Sequence, residues 1–126
     1  MKKLLLFQVE NPIKVKQAVA TMKLRVEVVP VEKFNYTISN LVSGTDMEVE
    51  AFEGNPPSGS LLLMCGLNDS EIDQVLTRLR TQKVTTTYKA VLTPTNLTWN
   101  PMMLFEEMEK EKKEIEARRK ELGLSQ

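Results

Sequence analysis

The chain lacks the side chains on which much enzyme chemistry depends. Among its 126 residues there is no histidine, and the single cysteine is Cys65. The lack of histidine removes the commonest general base and the usual ligand of zinc and copper. One cysteine can form neither an internal disulfide nor a cysteine metal cluster. We therefore expect no metal, no cofactor and no catalytic residue, and the sequence favours a protein that is not an enzyme without deciding the point.

The chain also lacks an excess of charge and any long apolar run. Its 17 basic residues equal its 17 acidic residues, so the whole chain shows no electrostatic signal for nucleic acid. No apolar run approaches the roughly 20 residues of a membrane span, and the one in the opening MKKLLLFQVEN is too short for a signal peptide. We expect one cytoplasmic domain over residues 1–126, with neither nucleic acid nor a membrane as partner.

Two segments begin alike, with LLLFQVENPIKVKQAVATM from Leu4 and LLLMCGLNDSEIDQVLTRL from Leu61. When Asn11 is laid on Asn68, the apolar residues that mark one helix face coincide. Both Asn residues occupy N-cap positions, and a later match of NYTI with NLTW extends the similarity. The pattern predicts an internal repeat. Its copies are residues 1–43 and 58–108, joined by a linker at 44–59.

Each half is expected to run strand, helix, strand, helix. The apolar runs at residues 4–7 and 61–64 are typical of strands covered on both faces, so the first and third strands are placed in the centre. The alternation favours an α/β fold with a small, mostly parallel four-stranded sheet and a protruding C-terminal helix. The alternative is a ferredoxin-like α+β sandwich, antiparallel and with both helices on one face. The strands are predicted near 3–9, 25–31, 60–66 and 84–92, and the helices near 12–23, 36–43, 69–82 and 100–121.

The first candidate site is the edge at which the strands end. In an open parallel sheet, ligands bind beyond the carboxyl ends of the strands, so all four strand-to-helix loops are expected to meet there. Helix N-termini at such an edge can hold a small molecule or an anion. The alternative is that the same residues serve only to cap helices. A thiol at this position can react as a thiolate, but a lone cysteine ending an apolar strand is more often a core residue. The candidate ligand-edge residues are Asn11, Cys65, Gly66, Asn68, Thr93, Thr95, Asn96 and Trp99.

The second candidate site is the last helix. Thirteen of the 16 residues from 106 to 121 are charged, and the apolar stripe between them is thin and interrupted. We expect the first turns to pack on the protein and residues 109–122 to project. A projecting helix can dock a protein partner or pair with a second copy in a short coiled coil. The candidate partner-helix residues are Leu104, Met108, Ile115 and Leu122.

The second half of the chain supports a family resemblance. LLLMCGLNDSEIDQVLTRLR, followed by YKAVLTPTNLTWNPMMLFEEM, resembles a family of small bacterial proteins known as a domain of unknown function, number three-seven-eight-three. In that family a hydrophobic strand, a G-L pair and a capped helix precede an A-V-L-T-x-x-N-x-x-W loop and a Glu-rich helix. The matching residues here are Gly66, Leu67, 90–93, Asn96 and Trp99. The resemblance implies a bacterial, cytoplasmic, single-domain protein and implies no activity.

Two functions are consistent with these features. The first is a non-enzymatic protein-binding or regulatory module that uses the last helix and the neighbouring sheet edge. The second is a sensor of a small molecule or anion, or less readily a thiol enzyme, with its site at the carboxyl edge of the sheet.

Overall fold

The protein is built around one four-stranded sheet. The computed structural model describes residues 2–123. Its strands lie in the order β2-β1-β3-β4, with β1 parallel to β2, β3 parallel to β4, and β1 antiparallel to β3. The strands are β1 (Lys3–Phe7), β2 (Arg25–Val29), β3 (Leu61–Cys65) and β4 (Tyr88–Val91). The predicted α/β fold, with a mostly parallel sheet and with the first and third strands in the centre, is confirmed.

Within residues 2–123, four α-helices and three short 3-10 helices accompany the strands. The α-helices are α1 (Pro12–Ala18), α2 (Ile38–Ser43), α3 (Asp69–Thr81) and α4 (Pro101–Glu121). The 3-10 helices are Ala20–Met22, Val31–Lys33 and Asn96–Thr98. Helix α1 is shorter than predicted, because the chain tightens into a 3-10 turn and reverses at Lys23, whose φ is +57°, to enter β2.

Each α-helix begins where a side chain accepts a backbone N–H of the first turn, as N-cap residues do. For α3 the bond is reciprocal, because the Glu71 carboxylate accepts the N–H of Asn68 at 2.9 Å, which completes a capping box. The predicted caps at Asn11 and Asn68 are confirmed. The four caps are Asn11, Thr37, Asn68 and Asn100, which accept from Lys14, Asn40, Glu71 and Met103.

The central strands are buried along their whole length and separate two apolar cores. Alternate side chains of a strand point to opposite faces. One face packs against α1 and α3, and the other against α2 and the first turns of α4. Since helices cover both faces, the ferredoxin-like sandwich is not the observed fold. On the α1–α3 side the strands contribute Leu4, Leu6, Leu62 and Met64, and on the other side Leu5, Phe7, Leu61, Leu63 and Cys65.

The antiparallel centre separates the loops of the two halves. Because β1 and β3 run in opposite directions, β1 and β2 end at one edge of the sheet, whereas β3 and β4 end at the opposite edge. The expectation that all four strand-to-helix loops meet at one edge is therefore wrong. The physical reason is the segment 45–60, which holds neither helix nor strand and returns the chain to the edge where β1 ends.

Helix α4 packs on the protein through its first turns only. Leu104 and Phe105 are buried, and the ring of Phe105 contacts that of Tyr88 edge-on, with centroids 6.1 Å apart. The Lys112 ammonium lies 5.9 Å from the centre of the same Tyr88 ring. Residues 109–123 are all exposed, so the protruding C-terminal helix is confirmed. No helix in the described part of the chain combines the length and apolar character needed to cross a membrane.

Candidate functional site

The apolar stripe of α4 continues beyond the body of the protein. Leu104 is buried and Met108 is half-buried against the core, whereas Ile115 is 53% exposed and Leu122 is 66% exposed. Their spacing places all four on one face of the helix. We call Leu104, Met108, Ile115 and Leu122 the α4 stripe. Its first half is covered by the protein itself, and its second half is uncovered within residues 2–123.

Charges of opposite sign line the two sides of this stripe. Met108, Ile115 and Leu122 stand seven residues apart. In such a repeat, positions four residues later lie on one flank of the stripe, and positions one residue earlier lie on the other. The first flank is basic and the second is acidic. The bases are Lys112 and Arg119, and the acids are Glu107, Glu114 and Glu121.

The predicted ligand-edge residues do not form one group. Asn11 follows β1 and so lies at the edge where β1 and β2 end, whereas Cys65 ends β3 and the others follow β3 or β4, which end at the opposite edge. Asn11 and Asn68 cap α1 and α3, and Gly66 makes the turn after β3 with φ at +75°. Thr95 is exposed. The fold therefore accounts for the positions of Asn11, Gly66 and Asn68, but not for that of the exposed Thr95.

Asn96 holds the loop after β4 together. Its side-chain oxygen accepts the N–H of Thr93 at 2.9 Å, and its side-chain amide donates to the carbonyl of Val91 at 3.1 Å. Its own N–H donates to the Thr93 hydroxyl at 3.2 Å. Asn96 is only 7% exposed, so this side chain is committed to the loop rather than offered to a ligand. Trp99 is half-buried against the α2–α4 core.

Cys65 is a core residue. Its side chain is fully buried and lies 3.8 Å from the Leu63 carbonyl. Burial raises the pKa of the Cys65 thiol to about 12, against the opposing effect of the Lys3 charge. A thiol with so high a pKa is protonated at neutral pH and is a poor nucleophile. The activated-thiol interpretation therefore has no support in the geometry.

A polar cavity of about 460 Å³ opens at the edge where β1 ends, and the sequence interpretation missed it. On its wall the backbone N–H of Ser60 donates to the Thr87 hydroxyl, and the N–H of Thr87 donates to the Ser60 hydroxyl, both at 3.0 Å. Gln8 has a left-handed backbone, with φ at +58°, and its side-chain amide donates to the carbonyls of Pro57 at 2.6 Å and Gly59 at 2.9 Å. The polar cavity is lined by Gln8, Glu10, Gly59, Ser60, Thr85, Thr86 and Thr87.

A second cavity, of about 330 Å³, lies between α3 and β4, and the sequence interpretation missed it too. We call it the basic groove. Its apolar lining is Leu76, Leu79 and Val84, and its polar lining is Arg80, Lys83, Thr85 and Lys89. A local signal was present in the sequence. Residues 74–105 contain four bases and no acid, which the zero net charge of the whole chain conceals.

Comparison with known proteins extends the resemblance noted above. Residues 60–115 match the model of a family described as a domain of unknown function (DUF3783), which confirms the resemblance over that segment. The match runs from β3 into the projecting part of α4 and covers fewer than half of the residues. No curated protein and no solved structure matches the chain. Within residues 2–123, no group of three or more carboxylates or thiols is placed to hold a metal ion.

Proposed function

We propose that this protein is a non-enzymatic protein-binding or regulatory module. In this proposal it engages its partner through the projecting part of α4 and through the neighbouring outer strand of the sheet, β4. We call the side of β4 that faces away from β3 the β4 edge. We place it in the bacterial cytoplasm. The bacterial source is supported by the family resemblance, and the compartment by a single, buried cysteine, as expected of a chain that does not depend on disulfides.

The observation that carries the proposal is the exposed half of the α4 stripe. Leu104 and Met108 fasten the helix to the core, and the same face then presents Ile115 and Leu122 outside it. A face that is continuous with a core but uncovered is the feature by which amphipathic helices dock on partners. The charged flanks keep the helix soluble and can set the orientation in which a partner is accepted.

The geometry favours a different protein over a second copy of α4. In a parallel pair of helices, the second helix would run beside the α4 stripe along its whole length. The first half of that stripe is already covered by the sheet and by α2. A second helix would therefore collide with the body of the first copy. This overlap counts against the parallel coiled coil.

Charge opposes the antiparallel pair. In an antiparallel coiled coil each flank faces the same flank of the other helix. Glu114 and Glu121 would then face their own counterparts, and Lys112 and Arg119 would face theirs. Such like-charge contacts are unfavourable. A different protein, whose surface has a basic side, an apolar centre and an acidic side, fits the helix better than a second copy of α4 does.

The test compares two substitutions on the exposed helix. Ile115→Asp places a charge in the stripe, and Ala117→Asp places the same charge on another face as a matched control. A chain ending at Met108 removes the arm altogether. Both substituted chains should unfold within about 0.5 kcal/mol of the parent, since exposed positions contribute little. The readout is the set of proteins that each immobilised chain retains from a lysate of its source, followed by binding measurements with the purified partner.

We expect a partner that binds the parent chain and the Ala117→Asp chain, but neither the Ile115→Asp chain nor the truncated chain. Equal binding by all four chains would remove the helix from the proposal. Retention of no partner by the parent chain would contradict the proposed function itself.

A second candidate function is that of a small-molecule sensor, and the observation that favours it is the polar cavity. Its hydroxyl-rich wall and its single carboxylate, Glu10, suit a neutral or cationic polar molecule rather than an anion. A ligand at about 100 times its Kd stabilises a protein by roughly 2.7 kcal/mol, which raises the Tm of a chain of this size by roughly 10 °C. We would measure thermal unfolding against a panel of polyols, sugars and amines. A shift that disappears in Glu10→Ala would establish the sensor, and a flat panel would remove it.

A further inference from the structure

The basic groove brings three cations together around an apolar floor. Leu79 and Val84 are buried and Leu76 is half-buried at the bottom of the groove. Arg80, Lys83 and Lys89 are exposed at its rim. None of the three forms an ion pair with a residue in the described range 2–123, and no acidic side chain lines the groove. Three unneutralised cations beside apolar surface are a site for a group that carries both negative charge and apolar atoms.

The groove borders a free strand edge. In a parallel pair, alternate residues of each strand bond to the neighbouring strand. The N–H groups of Tyr88 and Leu92 donate inward, to the carbonyls of Ser60 and Met64, each at 2.9 Å. The N–H and C=O groups of Lys89 and the N–H of Val91 therefore point away from the sheet, along its outer edge. The Val91 carbonyl already accepts a hydrogen bond from the Asn96 side chain at 3.1 Å.

The outward-bonding residues of this edge have their side chains on the same face of the sheet as the groove. Lys89 is paired with Leu62, and Val91 with Met64, so both lie on the face of the sheet that carries α3. Val91 is exposed although it is apolar. The edge thus offers backbone hydrogen-bonding groups, a cation and an apolar side chain in one line beside the basic groove.

We propose that the β4 edge and the basic groove together bind an extended acidic peptide segment of a partner protein, which adds to the sheet beside β4. This inference rests on the proposed function, because it takes the protein to be a protein-binding module, and it adds the chemistry of the partner. In an added strand, every second side chain faces the groove. The proposed segment therefore carries carboxylates as well as an apolar residue on one face. The carboxylates pair with the cations at the rim of the groove, and the apolar residue packs on its floor.

A peptide fits this place better than a helix does. An extended segment can satisfy the outward N–H and C=O groups of Lys89 and the outward N–H of Val91, as happens when peptides add to sheet edges. A helix has no free backbone groups with which to do so. The chain's own α4 is also nearly neutral, with seven acids and six bases over residues 106–121, and so it does not complement a groove lined by three cations.

The test uses a fluorescein-labelled probe, Thr-Glu-Thr-Val-Thr-Glu-Thr, which places Glu, Val and Glu on one face of a strand. One control peptide has the same composition, with Val moved to the other face. Another has Lys in place of Glu. Binding to the full chain is followed by fluorescence anisotropy, and by the backbone amide shifts of Lys89 and Val91 in a nitrogen-15-labelled sample. We expect the probe alone to bind, with shifts concentrated on β4 and with an affinity that weakens as salt is added.

Two pairs of variants test the two parts of the site. Lys83→Glu reverses a rim charge, and Lys16→Glu is its control on an exposed turn of α1. Val91→Pro removes an outward N–H from the edge, a place where proline is tolerated. Val28→Pro is its control at the other sheet edge, because the N–H of Arg25 bonds inward and that of Val28 therefore points outward. We expect roughly tenfold weaker binding in Lys83→Glu and Val91→Pro, and no change in either control. Thermal unfolding confirms that each variant is folded.

Each other outcome overturns the inference in a recognisable way. Binding that Lys83→Glu weakens but Val91→Pro leaves unchanged would mean an anion site without strand addition. Shifts away from β4, or equal binding of the three peptides, would place the segment elsewhere. Self-association of the full chain that is lost in Lys83→Glu would make the acidic segment 46–53 of a second copy the occupant. If no peptide binds while the Ile115→Asp chain still loses its partner, this inference fails and the proposed function stands.

Discussion

The backbone N–H of Ile38 donates a hydrogen bond to the carbonyl oxygen of Trp99 at 2.7 Å. Ile38 is the first residue of α2, and the first N–H groups of a helix have no partner within the helix. Trp99 lies just before Asn100, which caps α4. The bond therefore joins the start of one helix to the residue before the start of another, and it fastens the two halves of the chain on one face of the sheet.

Replacing Ile38 by proline and by alanine isolates this bond. Both variants lose the buried Ile side chain, at a cost of about 2–4 kcal/mol, but only proline also removes the N–H. Proline suits the first position of a helix, and Thr37 before it is already extended. We expect the Ile38→Pro variant to unfold about 1–2 kcal/mol more easily than Ile38→Ala in chemical denaturation. Equal stability of the two variants would show that the bond contributes nothing.

Asn96→Ala should destabilise the protein without any ligand being involved. The substitution removes a nearly buried side chain and leaves the Thr93 N–H and the Val91 carbonyl without the partner that it supplies. We expect a loss of about 2–3 kcal/mol in the free energy of unfolding. The Asn100→Ala variant, which loses only a helix cap, should cost about 1 kcal/mol. If Asn96→Ala unfolds like the parent chain, Asn96 is free for another role.

The Cys65 thiol should react only when the protein unfolds. Its pKa of about 12 in the folded chain compares with about 8.5 in an unfolded one. At pH 8 the folded protein should therefore be alkylated roughly a thousandfold more slowly than the same protein in denaturant. The rate for the folded protein is measured with iodoacetamide as a function of pH. A plateau near pH 8.5 without denaturant would contradict the burial argument.

The same difference in pKa makes the protein less stable in base. Because the folded state holds the Cys65 proton to higher pH than the unfolded state does, the free energy of unfolding falls as the pH rises from about 9 towards 12. The Cys65→Ala variant removes this contribution. Its stability should decline less steeply over that range than the stability of the parent chain, as measured by chemical denaturation at successive pH values.

Lys3→Met should expose the cost of breaking a buried polar cluster. The Lys3 side chain is only 2% exposed; its ammonium donates to the Val42 carbonyl at 2.6 Å and pairs with Glu27 at 3.2 Å. Methionine preserves the length of the side chain but has no hydrogen-bond donor in place of the ammonium group. We expect a loss of about 2–3 kcal/mol, since Glu27 is partly exposed and can regain water.

A double-mutant cycle supplies the control for Lys3. Glu27→Gln alone should cost less, about 1 kcal/mol, because Lys3 keeps the Val42 carbonyl. Combining the two substitutions should cost less than the sum of the separate losses, because the uncompensated carboxylate is then gone. Strict additivity would show that the pair does not interact.

Local structure followed closely from the sequence. The caps at Asn11 and Asn68, the central position of the two apolar strands and the projecting end of α4 are all confirmed. Each depends on residues that are neighbours in the chain or on the period of a pattern, and both can be read from the sequence alone. The internal repeat stays a prediction.

The candidate sites were less accessible to such reasoning. Asn96 has the composition of a helix cap or of a ligand-binding residue, and only its burial shows that it holds the loop together. Lys3 stands in an apolar run, and nothing in the run indicates that its ammonium reaches Val42, 39 residues away. The zero net charge of the whole chain conceals the local excess of bases that surrounds the basic groove.

The elements of this protein, their order, their caps and the two-sided burial of β1 and β3 follow from its residues alone, because these features depend on side-chain period and local hydrogen bonding. The direction of β3 relative to β1 is set instead by tertiary pairing. Since that direction depends on where the segment 45–60 returns the chain, no local pattern records it. The antiparallel pairing of β1 with β3 places Asn11 and Cys65 at opposite ends of the sheet. The same tertiary pairing leaves β4 as a free edge beside the three cations of the basic groove.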